Sequence, residues 1–159
     1  MYKTIAVSLS VAFVFFCVLS EETQSPRETI RILLAMEKTA FKSELIDRMD
    51  SLLTKQGYAT TIVRDSRKQI TEHKAADYDM VFITNSGVNS KVRPWITKWI
   101  ANNAANANRI LLHTTQTREW EVVTTVDAVT SASARKEAEK FAGDYVARLT
   151  EKLPSGDAR

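Results

Sequence analysis

The sequence predicts an α/β domain, a three-layer sandwich built on a five-stranded, mainly parallel sheet. Three observations carry this expectation. Short apolar runs of strand length, such as residues 30–36 and 80–83, alternate with longer stretches whose apolar residues recur at helical spacing. The short runs are apolar throughout rather than alternating, as in strands covered on both faces. The chain of 159 residues is long enough for one domain with a sizeable core and too short for two comfortable ones.

The ends are set apart by composition. Lys3 precedes an uncharged apolar run over residues 4–19, and Val18, Leu19 and Ser20 stand before Glu21 and Glu22. That layout predicts a signal peptide over residues 1–20 and an exported protein, periplasmic or extracellular. The alternative is an uncleaved anchor, the only route to a membrane that the sequence offers, although an uncharged run of 16 residues falls short of the ~20 a spanning helix needs. Phe16 stands before Cys17 where a lipoprotein site wants a small residue. Without residues 1–20 the chain keeps 139 residues, 21 basic and 19 acidic, a net charge of +2. That balance, with no basic run interleaved with aromatics, argues against nucleic acid. The only cysteine goes with the signal, which removes thiol chemistry and any disulfide framework.

Residues 21–28, polar and containing Pro26, read as a flexible leader; residues 29–153 form the domain and residues 154–159 a tail. Strand one is residues 30–36. A helix follows, with Thr39 as N-cap, Phe41, Leu45, Ile46, Met49, Leu52 and Leu53 on its apolar face, Lys42, Glu44, Asp47, Arg48 and Asp50 on its polar face, and Gly57 as its stop. Residues 58–63 are β-branched and give strand two, and residues 66–76 give a short, weakly attached helix or loop. Strand three is residues 78–84, left through the polar turn 84–89. Pro94 opens a helix to about Asn106 whose Trp95, Ile96, Trp99 and Ile100 bind it to the sheet, the tryptophans as core residues. Strand four is residues 109–113. Strand five is placed at residues 121–126, parallel to strand four across a connection that has lost its helix; an antiparallel edge pair is the alternative. Ala138, Phe141, Ala142, Tyr145, Leu149 and Leu153 mark the last helix. At the centre of the sheet the pattern puts Ile32, Leu34, Val81, Ile83, Leu111 and Val123.

In such a sheet the loops at the C-terminal strand ends converge on one crevice. The candidate site is therefore Lys38 and Thr39 after strand one, Asn85, Ser86 and Gly87 after strand three, Thr115 and Gln116 after strand four, and Asp127, Thr130, Ser131 and Ser133 after strand five. Trp120 is the aromatic placed to stack on a planar ligand, with a core role as the alternative. The set is rich in hydroxyls and short of convergent charge, which suits hydrogen-bonded recognition better than acid–base catalysis. His73 and His113 show no metal-ligand spacing. Ser86, His113 and Asp127 could be drawn as a triad, without a nucleophile-elbow pattern to support it.

The element order resembles the flavodoxin-like fold, a parallel sheet of order 2-1-3-4-5, over nearly the whole predicted domain. That resemblance implies FMN, its phosphate held in the loop after strand one by a T-x-T-G-x-T pattern of amides and hydroxyls. Here the loop is Met36, Glu37, Lys38, Thr39, Ala40, Phe41, Lys42 and Ser43. It has no glycine, offers hydroxyls only at Thr39 and Ser43, and sets the Glu37 carboxylate beside any phosphate. Residues 126–133, Val-Asp-Ala-Val-Thr-Ser-Ala-Ser, are similar to the Asp-Ala-x-Thr-Ser-Ala-Ser turns of exported flavodoxin-like proteins. They also resemble the D-x-x-S-G-A-T segment in which FMN-binding domains of membrane redox complexes attach flavin, Ser133 standing for the threonine and Ser131 for the glycine. Capping by Thr130, Ser131 and Ser133 is the structural alternative. The expected function is a non-catalytic module binding a small-molecule ligand or a protein partner, without a cofactor. The alternative is an FMN-binding electron-transfer protein or oxidoreductase with a redox partner.

Overall fold

The computed structural model describes residues 29–88, 91–116 and 122–153. The predicted signal, leader and tail, and Trp120, lie outside these residues. Five strands form one sheet: β1 (Arg31–Met36), β2 (Ala59–Val63), β3 (Met80–Ser86), β4 (Ile110–Thr115) and β5 (Asp127–Ser131). Their order is β2-β1-β3-β4-β5 and every neighbouring pair is parallel. The chain reverses direction across the sheet between β1 and β3, and in open sheets of this kind ligands bind outside the C-terminal strand ends at such a reversal.

Four α-helices complete the layers: α1 (Ala40–Lys55), α2 (Ser66–Gln69), α3 (Pro94–Asn102) and α4 (Ala138–Glu151). Alternate residues of each strand feed one of two cores. Ile32, Leu34, Met36, Phe82 and Leu111 pack under α1 and α4, against Phe41, Leu45, Met49, Ala142 and Tyr145. Leu33, Ala35, Val81, Ile83 and Leu112 face the other way, against Ile70, Ile96, Trp99 and Ile100. Trp99 is core, as expected, and its indole N–H donates to the His73 carbonyl at 3.0 Å.

Local signals place the helix ends. Thr39 caps α1, its hydroxyl accepting from the Lys42 amide at 3.3 Å. At the other end Gly57 takes φ +88°, while its own amide reaches the Thr54 carbonyl and that of Tyr58 reaches Leu53, a Schellman closure that needs a left-handed residue. Helix α3 stops at Asn102, short of the expected Asn106. There Asn103 turns its side chain inward, donating to the Trp99 carbonyl at 2.9 Å and accepting from the Ala75 amide at 2.8 Å. The segment expected as a short, weakly attached helix or loop over residues 66–76 is a short helix and two 3₁₀ turns, and it is anchored by Ser66, Ile70 and Ala75, all buried.

Strand five corrects the sequence reading. It is parallel to β4, and the described part of the connection has no helix, but β5 runs over Asp127–Ser131 and not over residues 121–126. Val123, expected at the centre of the sheet, is 94% exposed. The run 122–126 has the stronger β-branched signature, yet it serves as the crossover: Val122 and Val126 pack on the α3 side, where a helix would lie. Residues 127–131 pair instead because that register turns Val129 toward the core under α1 and α4. Strands β3 and β4 each run two residues further than expected, so Asn85, Ser86, Thr114 and Thr115 are strand residues.

Candidate functional site

The C-terminal ends of β1 and β3 are joined by charge. Glu37, the first residue after β1, directs one carboxylate oxygen to the Ser86 amide at 2.9 Å and to Lys42 Nζ at 3.2 Å. Its other oxygen pairs with an Arg93 amino group at 3.3 Å. Lys42 Nζ also donates to Ser86 Oγ at 2.6 Å, and Arg93 Nε donates to the Ser86 carbonyl at 3.1 Å. Two cations and one carboxylate thus hold the loop after β1 against the loop after β3, at the position where the strand order reverses.

Lys42 is the largest departure from the sequence reading. Placed there on the solvent face of α1, it is 1% exposed. The stripe Ile46, Met49 and Leu53 is buried, and Lys42 stands four residues before its first member; this spacing was the signal that could have placed it. Burial pulls the Lys42 ammonium below the usual lysine range, the Glu37 carboxylate opposes that, and Arg93 adds to it. For Glu37, burial raises the carboxyl, but the Ser86 hydroxyl and amide and the Lys42 ammonium outweigh it and hold the group below the usual carboxylate range. Ser86 sits between the members of this pair: its oxygen accepts from Lys42 and its hydroxyl faces Glu37. The arrangement clamps the two loops through Ser86. Arg93, which precedes α3, went unremarked in the sequence because no periodicity marks a loop residue.

A second polar group lies under α1 and α4. His113, expected at the open end of strand four, is fully buried within β4. Its Nδ1 is 2.8 Å from Thr84 Oγ1 and its Nε2 is 2.9 Å from Ser131 Oγ. Ser131 Oγ donates to the Ala132 carbonyl at 3.1 Å, so it accepts from Nε2–H and leaves Nδ1 to accept from Thr84, the tautomer this network assigns. Phe82 stacks on the ring at 6.0 Å between centroids and Tyr145 lies at 4.9 Å. Burial, with the Lys42 charge as a smaller cause, holds the His113 pKa down to about 3, and the imidazole is neutral.

The predicted site residues divide accordingly. Ser86 joins the charged cluster, Thr39 caps the adjoining helix and Lys38 is exposed. Asn85, Gly87, Thr115 and Gln116 come together at the end of β3 and β4. Asn85 Nδ2 donates to the His113 carbonyl and to Thr114 Oγ1, both at 3.0 Å; Thr115 Oγ1 donates to the Asn85 carbonyl at 3.2 Å. The Gly87 amide reaches Thr115, and that of Gln116 reaches Ser131, both at 3.0 Å. Asn85 Oδ1 is a buried acceptor without a partner among the described residues.

The strand-five set is corrected. Asp127, Thr130 and Ser131 lie in β5 rather than in a loop beyond it. Asp127 pairs with Leu111, four residues from the edge at which Ser131 pairs with Thr115, roughly 13 Å away at ~3.3 Å per residue. Its carboxylate faces Arg148 and Lys152 of the last helical segment. Thr130 points to the opposite face of the sheet from Ser131, and Ser133 is exposed beyond the strand. None of the three caps α4, which is preceded by Glu137 without a side-chain cap. The triad does not assemble, since His113 faces Thr84 and Ser131, and neither Ser86 nor Asp127. Among the described residues no three His, Cys, Asp or Glu side chains group as metal ligands, and no helix is long and apolar enough to cross a membrane.

Solved structures share this architecture. An archaeal flavodoxin superposes with a TM-score of 0.52 at 8% identity, over 77% of this chain and 99% of its own. Oxidised flavodoxin 1 from Bacillus cereus gives 0.52 at 9% identity, over 79% and 100%. A flavodiiron core from Synechocystis gives 0.50 at 12% identity, over 79% of this chain and 37% of its own. No protein-family model and no curated protein matches the sequence. The likeness is one of fold: a five-stranded parallel sheet of flavodoxin-like order.

Proposed function

We propose that this flavodoxin-like domain is a non-catalytic binding module of an exported protein, and that it does not hold FMN in the flavodoxin manner. The observation that carries the reading is the Glu37–Lys42–Arg93 clamp. A phosphate group at the end of β1 would need the donors gathered there. The Ser86 amide, the Lys42 ammonium and the Arg93 guanidinium are already directed at a fixed carboxylate. A phosphate would meet Glu37 as a like charge, and no glycine between Met36 and Ser43 lets the backbone fold around it. Asn85 Oδ1, the orphaned buried atom nearby in sequence, is an acceptor and offers nothing to an anion. The residues present therefore do not suit that cofactor, and no chemical step is assigned to it.

The test is optical. A flavoprotein purifies yellow and absorbs near ~450 nm, from the cofactor's own chemistry. The full chain should purify colourless and leave the fluorescence of added FMN unquenched. Stoichiometric flavin in the purified protein, or quenching that saturates at micromolar protein, would overturn the proposal. Export is tested by fractionation: the chain should leave the cytosol, and retention there would contradict the signal reading.

A further inference from the structure

We propose that the α2/α3 face docks the acidic surface of a partner protein. This rests on the binding-module reading and names the partner's chemistry. Residues 64–109, the stretch of sequence that carries α2, β3 and α3, hold eight Lys and Arg against four Asp and Glu, leaving 14 against 15 for the rest of the chain. The net charge of +3 therefore comes from this one segment. Arg64, Lys68 and Arg93 are answered by Asp47, Asp65 and Glu37, and Arg109 donates to the Tyr78 carbonyl. Arg67, Lys74, Lys91 and Lys98 are exposed and have no ion-pair partner among the described residues.

The opposite layer is built differently. On and beside α1 and α4, Arg48, Arg135, Lys140, Arg148 and Lys152 are all held by Glu44, Glu139, Asp144 or Asp127. Lys38, Lys55 and Lys136 are exposed outside these ion pairs, but residues 37–55 hold four basic and four acidic side chains and residues 127–152 five of each, a net charge of zero, against eight and four over residues 64–109; that asymmetry steers an anionic partner to one side.

The surface suits a protein better than a bilayer. The exposed positions of α3 are Pro94, Thr97, Lys98, Ala101 and Asn102, with no large apolar side chain among them. A helix that lies on lipid needs an apolar face to bury. Among the described residues the exposed large hydrophobics are Val88 and Val123, neither on α3.

The experiment titrates the full chain with fluorescent poly-L-glutamate. Binding should be measurable at ~10 mM salt and fall about tenfold or more by ~150 mM, as the screening length shrinks from ~30 to ~8 Å. The double variant Lys91→Glu/Lys98→Glu should weaken it about tenfold or more, and Lys91→Ser/Lys98→Ser by a smaller factor in the same direction. The control Lys55→Glu/Lys136→Glu, on the other layer, should change it less than about twofold. Equal losses in test and control pairs, or no binding by the wild type, would overturn the proposal. So would salt-dependent binding to phosphatidylglycerol vesicles that the Lys91/Lys98 change abolishes while poly-L-glutamate binding persists, which would assign the face to lipid. Flavin binding refutes the functional reading without altering these titrations, so the two failures are distinguishable.

Discussion

Acidification from ~pH 7.5 to ~pH 5 should weaken the fold by about 2 kcal/mol through His113 alone. In the unfolded chain an imidazole titrates near 6.5, whereas in the folded protein burial beside Lys42 holds His113 at about 3. Its folded pKa is depressed, so the stability is complete above the unfolded value and is lost as pH falls toward the folded one. Below 6.5 the unfolded chain binds a proton that the native ring refuses, at a cost of ~1.4 kcal/mol per unit, which gives ~2 kcal/mol at ~pH 5 and levels off near ~5 kcal/mol by ~pH 3. Glu37 and Asp127, whose folded values also lie below their ordinary ones of 4.5 and 3.8, add to the loss only at lower pH. Urea unfolding across this range measures the effect, with His113→Gln as the comparison. The variant loses contact with Phe82 and Tyr145 and should be less stable throughout, but its stability should be flat between ~pH 7 and ~pH 5. Parallel pH slopes for the two proteins would refute the reasoning, as would a His113 ring resonance titrating near its ordinary value in the native state.

Lys42→Met should cost about 2–4 kcal/mol in denaturant unfolding, because it leaves Glu37 beside an apolar side chain, and adding Glu37→Gln should restore part of the loss. Thr39→Ala, which removes the acceptor of the Lys42 amide, should cost ~1 kcal/mol. Leu34→Ala, at the fully buried centre of β1, should cost about 3–5 kcal/mol, and a loss under ~1 would mean that β1 is not central. Deleting residues 1–20 should leave a soluble, folded protein by circular dichroism; recovery only in detergent would show that the segment is needed as an anchor or as core.

The sequence alone determined the layers. Buried parallel strands must be apolar on both faces, so Ile32, Leu33, Leu34, Val81 and Ile83 announced themselves without partners, and the helices followed from stripes at 3.6-residue spacing. Thr39 and Gly57 were legible because caps depend on neighbours along the chain. Only the tertiary structure decided where the edge strand lies. The 122–126 run has the better local propensity, but β5 settles where Val129 meets the core under α1 and α4, and propensity does not contain that contact. The site was hidden for the same reason. Glu37, Lys42, Ser86 and Arg93 are dispersed over 57 positions of the chain, and they meet only because strand order places the ends of β1 and β3 side by side. A lysine on a helix reads as solvated until its partner is known, since what makes burial of an ammonium tolerable is a carboxylate supplied from another part of the fold.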